Sequence, residues 1–245
     1  MKRLTLMAFA LLLSALALGQ QQSADSATAA VDRYLSLMNV EGYSEDSMLV
    51  MTTAVTVYGS NDTLWMRRWF APPKMNRVEL WYHDTLTEGL TTNGDDRYRR
   101  YDATKKRWTD IKEKDFNTSF TGYDFRGPLY MWRWRGAKLT WGGRADVEGS
   151  PLQVVKVSCP GMYDRLYMFE PGSGLLALVV ETEGYDPEHA PAKEARIDFK
   201  SYHEYLPVGT HLVPSVESFM RDGKLTILTT TATMEKVDRS IFYRK

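Results

Sequence analysis

Four histidines, His83, His189, His203 and His211, and one cysteine, Cys159, are the side chains through which this 245-residue chain could do metal, thiol or acid–base chemistry. None of the histidines has a cysteine partner or the i, i+4 spacing of a helical zinc site. His203-Glu204 opens like a zincin motif, but position 207 is Pro, where the second histidine would have to stand. His83-Asp84 and His203-Glu204 are adjacent pairs on strands or turns, where neighbouring side chains point to opposite faces, so they read as solvated polar residues and not as acid–base dyads. Cys159 follows the apolar run Val154, Val155, Val157 and reads as a buried, unreactive thiol. With no second cysteine, an intrachain disulfide is impossible. There is no Gly-x-Ser-x-Gly elbow, phosphate loop or dinucleotide fingerprint. The residues therefore predict a protein that is not an enzyme and holds no metal or cofactor.

A second concentration of functional side chains lies in the middle of the chain. Residues 97–144 hold 13 Lys and Arg against 5 Asp and Glu, although the whole chain balances 31 against 31. Four of the seven tryptophans, Trp108, Trp132, Trp134 and Trp141, fall in the same window. From Asp110 to Gly136 aromatics crowd together without strand periodicity, which predicts short helices and an aromatic loop. Phe116, Phe120, Tyr123 and Trp132, with Arg126, Arg133 and Arg135, would form a lid that touches anionic headgroups, because tyrosine and tryptophan favour membrane interfaces and each nearby basic residue adds attraction. The alternative is that the aromatics plug the core while the arginines pair with local carboxylates. Stacking aromatics beside arginine would also serve an oligonucleotide, but export argues against that partner.

The elements that must position these groups follow from the patterning. Lys2 and Arg3 precede an apolar run, Leu4 to Leu18, that is too short for a permanent span; Ala17 and Gly19 supply the small residues of a signal-peptidase site. Residues 1–19 are thus expected to be a signal peptide cleaved before Gln20, and no lipid-attachment cysteine follows. Cleavage leaves about 226 residues, 20–245, enough for one domain with a substantial core. A helix is expected over Ala27–Asn39, capped by Asp25 or Ser26. From Met48 onward the period is two, and turn sequences such as Gly59-Ser60-Asn61-Asp62 and Asp222-Gly223 separate roughly a dozen strands. So many sequential antiparallel strands must curl, which predicts a mainly β fold: a large curved antiparallel sheet forming an unclosed barrel, with an N-terminal helix and a helical lid or plug.

Strand alternation assigns Leu64, Met66, Val78, Leu80, Tyr82, Val155, Val157, Leu166, Met168, Leu225 and Ile227 to the concave face, making an apolar cavity suited to an acyl chain. Arg77 and Glu79, between these positions, are expected to be dispensable for both fold and binding. The competing reading is that the apolar set is ordinary core.

Several short segments carry a resemblance: Tyr34-Leu35 in the opening helix, Pro72-Pro73-Lys74-Met75-Asn76-Arg77-Val78-Glu79, Thr92-Asn93-Gly94-Asp95, Phe125-Arg126-Gly127-Pro128-Leu129, Gly149-Ser150-Pro151-Leu152-Gln153-Val154 and Val237-Asp238-Arg239-Ser240-Ile241-Phe242. In order and spacing they resemble the outer-membrane lipoprotein-sorting (LolA-like) superfamily over nearly the whole mature chain. The resemblance implies an unclosed antiparallel barrel with a helical lid over an apolar cavity, in a periplasmic protein that carries or senses acyl chains. The expected function is a lipid or lipoprotein carrier, with transient membrane or membrane-protein contact. The alternative is a periplasmic sensor or interaction module that uses the same fold to bind a protein partner.

Overall fold

The computed structural model describes residues 24–39, 42, 44–72, 74–120, 129–130, 132, 136–159, 164–183, 196–221 and 223–243. The expected signal peptide and its cleavage site lie outside the described residues. The opening helix, α1 (Ala24–Met38), buries Ala27, Val31, Tyr34 and Met38. Their spacing of four, three and four residues is one helical stripe. It begins a turn earlier than expected, so Asp25 and Ser26 lie inside its first turn. Its end is set by Asn39, whose φ of 48° is the left-handed conformation that stops helices. The Asn39 side chain donates to Thr210 Oγ1 at 3.0 Å, and its carbonyl meets His211 Nδ1 at 3.0 Å.

Thirteen strands follow: β1 (Ser47–Val57), β2 (Thr63–Ala71), β3 (Met75–Tyr82), β4 (Thr85–Thr92), β5 (Tyr98–Asp102), β6 (Arg107–Asp110), β7 (Lys138–Val147), β8 (Ser150–Ser158), β9 (Arg165–Phe169), β10 (Leu176–Glu183), β11 (Arg196–Val208), β12 (His211–Arg221) and β13 (Lys224–Lys236). They form a single antiparallel sheet in the order β6-β5-β4-β3-β2-β1-β13-β12-β11-β10-β9-β8-β7. Every neighbour is a neighbour in sequence except β1 and β13, which join two meanders through eleven residue pairs from Ser47↔Lys236 to Val57↔Thr226. The order has two free ends, β6 and β7, so the sheet is not closed into a barrel. Two further helices complete the described chain: α2 (Glu113–Phe120) after β6, and α3 (Ser240–Tyr243).

The residues cluster into two compact units, one drawn from residues up to Leu37 with Leu129–Tyr202 and Phe219–Gly223, the other from Met38–Pro128, His203–Ser218 and the chain from Lys224 onward. In the first unit, Tyr34 of α1 meets Phe169 at 5.8 Å, and Arg33 donates to the carbonyls of Pro171 and Gly172 in the β9–β10 turn. Gly174 closes that turn with φ +81°, and any Cβ there would lie 2.6 Å from Arg33 Nε, so only glycine fits beneath the arginine. A core of Ala145, Leu152, Val154, Met168 and Val180 fills one sheet face of this unit.

Candidate functional site

In the second unit, strand register decides which side chains share a face. Leu64 stands opposite Tyr82, Met66 opposite Leu80 and Thr53, and Val78 opposite Leu90. Met66, Val78 and Leu90 are buried together with Phe116, and Val55, Leu80, Tyr98, Ile111 and Phe120 pack against them. Helix α2 lays its aromatic pair on this surface. Phe116 and Phe120, four residues apart, stack at 5.2 Å with planes 11° from parallel, and Phe116 also meets Tyr98 at 5.3 Å. The helix is held at its polar side as well, where Arg100 donates to Ser119 and the Glu113 carboxylate stands near the Tyr98 phenol. Burial first, and then that carboxylate, raise the Tyr98 phenol above its ordinary pKa.

Farther along the same face lies a second apolar cluster of Leu49, Met51, Phe70, Val208 and Val213. Between the two, on β1, stands Thr53. Its hydroxyl lies 2.8 Å from that of Thr230, both residues being buried, and it accepts from Arg68 Nη2 at 3.1 Å. The surface is therefore apolar at both ends with a narrow polar band across it.

The expected cavity residues divide among different surfaces. Leu64, Met66, Val78, Leu80 and Tyr82 do share one face, with Leu64 half-buried and Tyr82 exposed at the rim. Leu225 and Ile227 correct the expectation. On β13 it is Thr226 and Leu228 that point with Val57 and Val55, so Leu225 and Ile227 face the other way. In the first unit, Val155 pairs with Tyr167 and Val154 with Met168, which places Val155 and Val157 on the face opposite Leu166 and Met168. These strands are apolar on both sides, so alternation alone gives no phase. Of the expected lid, Phe116 and Phe120 lie against the sheet, and Trp132 sits half-buried in a turn whose amide bonds to the Leu129 carbonyl. Tyr123, Arg126, Arg133 and Arg135 lie outside the described residues.

Arg77 and Glu79 also depart from expectation, since both are buried. They sit on the other face of the second unit as an ion pair: Arg77 Nε donates to Glu79 Oε1 at 2.7 Å, and Trp81 Nε1 donates to Glu79 Oε2 at 3.0 Å. Arg77 Nη1 donates to the Ile241 carbonyl of α3 at 2.7 Å, and its guanidinium lies 4.6 Å from the centre of the Trp108 ring. Trp108 in turn covers Gly89, where a Cβ would approach the indole to 2.5 Å. Arg99 donates to the Trp108 carbonyl at 3.2 Å and has its Nε 3.3 Å from Asp110. That last contact is ionic and not a well-aligned hydrogen bond, since Nε has no acceptor in hydrogen-bonding geometry. Burial, then Arg97, lower the affinity of Arg99 for its proton. This network fastens α3 to the sheet; the period-two spacing of Arg77, Glu79 and Trp81 is the sequence signal that places all three on one face.

No protein-family model and no curated protein sequence matches the chain. Solved structures do. A LolA superfamily protein from Nitrosomonas europaea superposes with a TM-score of 0.56 at 8% identity, over 89% of this chain and 97% of that one. A domain from Vibrio parahaemolyticus described as an outer membrane lipoprotein-sorting protein gives 0.57 at 10% identity, over 90% and 97%. A DUF1329 family protein from Desulfovibrio piger gives 0.54 at 12%, over 88% and 96%. At such identities the likeness is one of fold: the unclosed antiparallel sheet of this chain has the fold of the LolA superfamily.

Proposed function

We propose that the chain is an exported periplasmic carrier that holds the acyl chain of a lipid or lipoprotein against the Met66–Val78–Leu90 face, and that it is not an enzyme. The observation that carries this reading is the composition of that face: two apolar clusters separated by the Arg68–Thr53–Thr230 band, with a short aromatic helix laid across one of them. Acyl methylenes would take the place of Phe116 and Phe120, and the polar linkage of the lipid would meet the band. An eight-residue helix is marginally stable by itself, so α2 stays in place through its contacts with the sheet and can yield to a better apolar ligand. The fold shared with lipoprotein-sorting proteins supports the same cargo class.

Uptake of a fluorescent fatty acid tests the proposal. Wild-type protein should bind the probe saturably, Leu80→Asp should abolish binding, and Phe116→Ala should strengthen it by uncovering the face. An absence of uptake by wild-type protein, or unchanged uptake by the Leu80 variant, overturns the assignment.

A further inference from the structure

Among the described residues, six large hydrophobic side chains are exposed, and five of them gather at one end of the second unit. Tyr58 is 77% exposed at the start of the β1–β2 loop; Trp65 is 46% exposed, Tyr82 and Val57 each 38%, and Ile227 37%. Register brings them together. Val57 and Ile227 stand at the paired ends of β1 and β13, where the Tyr58 amide also donates to the Leu225 carbonyl at 2.8 Å. Trp65 faces Trp81 across β2–β3, and Tyr82 faces Leu64 one step nearer the loops. Asp62 stands beside the end of the neighbouring hairpin: it holds the Tyr82 phenol above its ordinary pKa and lies 3.6 Å from His83 Nε2. His83 and Asp84 turn the β3–β4 hairpin with φ of 43° and 58°.

Two features of this end identify what it meets. Val57 and Tyr82 share one sheet face while Trp65 and Ile227 share the other, so apolar surface is exposed on both sides of the same strand ends. A globular partner would cover one side; a medium that surrounds the end covers both. The exposed rings are tyrosine and tryptophan, whose polar handles suit the zone between water and hydrocarbon. Among the described loop residues the charges, Asp62 and Asp84 against Lys224, sum to one negative charge, which offers nothing to anionic headgroups. We propose that this end of the sheet, led by Tyr58, Trp65 and Tyr82, inserts into the interfacial zone of a zwitterionic lipid bilayer. The docking is driven by aromatic burial and not by charge; it adjoins the Met66–Val78–Leu90 face but does not require an acyl chain there.

Flotation with phosphatidylcholine vesicles tests it, using the full chain both alone and saturated with fatty acid. Wild-type protein should float with the vesicles in both states, equally at low and high salt, and with no gain from added anionic lipid. Tyr58→Ser combined with Trp65→Ser and Tyr82→Ser should weaken partitioning by at least about tenfold, the least expected for withdrawing three interfacial aromatics. Tyr243→Ser, which removes the sixth exposed hydrophobic, should change nothing. Brominated lipid should quench the fluorescence of wild-type protein more than that of Trp65→Phe. The proposal is overturned if wild-type protein stays in the soluble fraction, if the triple variant floats as well as wild type, if binding requires anionic lipid and disappears in salt, or if the triple variant only dissociates a dimer.

Discussion

Replacing Glu79 by alanine should be among the most damaging single changes in the second unit, although the residue touches no proposed ligand. The carboxylate is 8% exposed and holds three groups at once: Arg77 Nε, Arg77 Nη2 and the indole of Trp81. Its removal leaves a guanidinium equally buried, with only the Ile241 carbonyl and the Trp108 ring to compensate its charge. Breaking a buried pair from one side costs about 3–5 kcal/mol, and the surviving contacts of Arg77 put Glu79→Ala near the lower limit. Arg77→Ala belongs nearer the upper limit, because it also releases α3 from the sheet. For a chain of this size that is a fall of roughly 6–20 °C in Tm. The double variant Arg77→Met, Glu79→Leu should regain most of the loss, since an apolar pair of similar volume avoids desolvating two charges. Urea titration with thermal melts checks all three proteins. A loss below about 1 kcal/mol in both single variants, the range of an exposed pair, would show that the pair is not buried as described. A double variant no more stable than the singles would refute the charge argument and leave packing alone as the cause.

Gly174→Ala should destabilise the first unit by about 1–3 kcal/mol, because the new Cβ meets Arg33 at a positive φ; trimming Arg33 to Ala in the same chain should relieve the steric part, as urea midpoints will show. Gly89→Ala should force Trp108 off the sheet, visible as a red-shifted tryptophan emission and a lower Tm. The buried His211 is held below its ordinary value of 6.5, chiefly by burial, so the unfolded chain binds the more protons as pH falls. Its contribution to stability is present above pH 6.5 and is lost as pH falls through that value toward the lowered folded one. Urea midpoints at pH 7.5 and 5.0 should therefore show a drop that His211→Gln reduces.

Most strands were legible because they carry a period-two or all-apolar pattern; Leu175 to Val180, apolar at successive positions, is buried on both faces at Val179 and Val180. Helix α1 was legible from its Ala, Val, Tyr, Met stripe. β6 escaped because four residues between charged turns are too few to show alternation. The site was half legible. Met66, Val78 and Leu80 form one face because β2 and β3 pair in unbroken register, whereas β13 carries threonines at Thr226 and Thr230 that are buried despite their polarity, inverting the apparent phase. Thr53 and Thr230 satisfy each other across the sheet, a pairing between residues 177 apart that no local pattern encodes. The same holds for Arg77 and Glu79: charge suggests the surface, and only the arrival of Trp81, Trp108 and α3 makes burial affordable.

The pairing of β1 with β13 also dictates an order of events. β1 is complete near residue 57, but its second partner begins only at Lys224, so during synthesis an eleven-residue hydrogen-bonding edge stays open until the last strand emerges. Sequence-distant closure of this kind makes folding slow, and an open edge of that length invites pairing with the wrong chain. Each meander can form from its own hairpins, so a chain ending before Lys224 should accumulate as two separately collapsed, aggregation-prone pieces. The final strand is the latch: it closes against a segment laid down near the start of the chain.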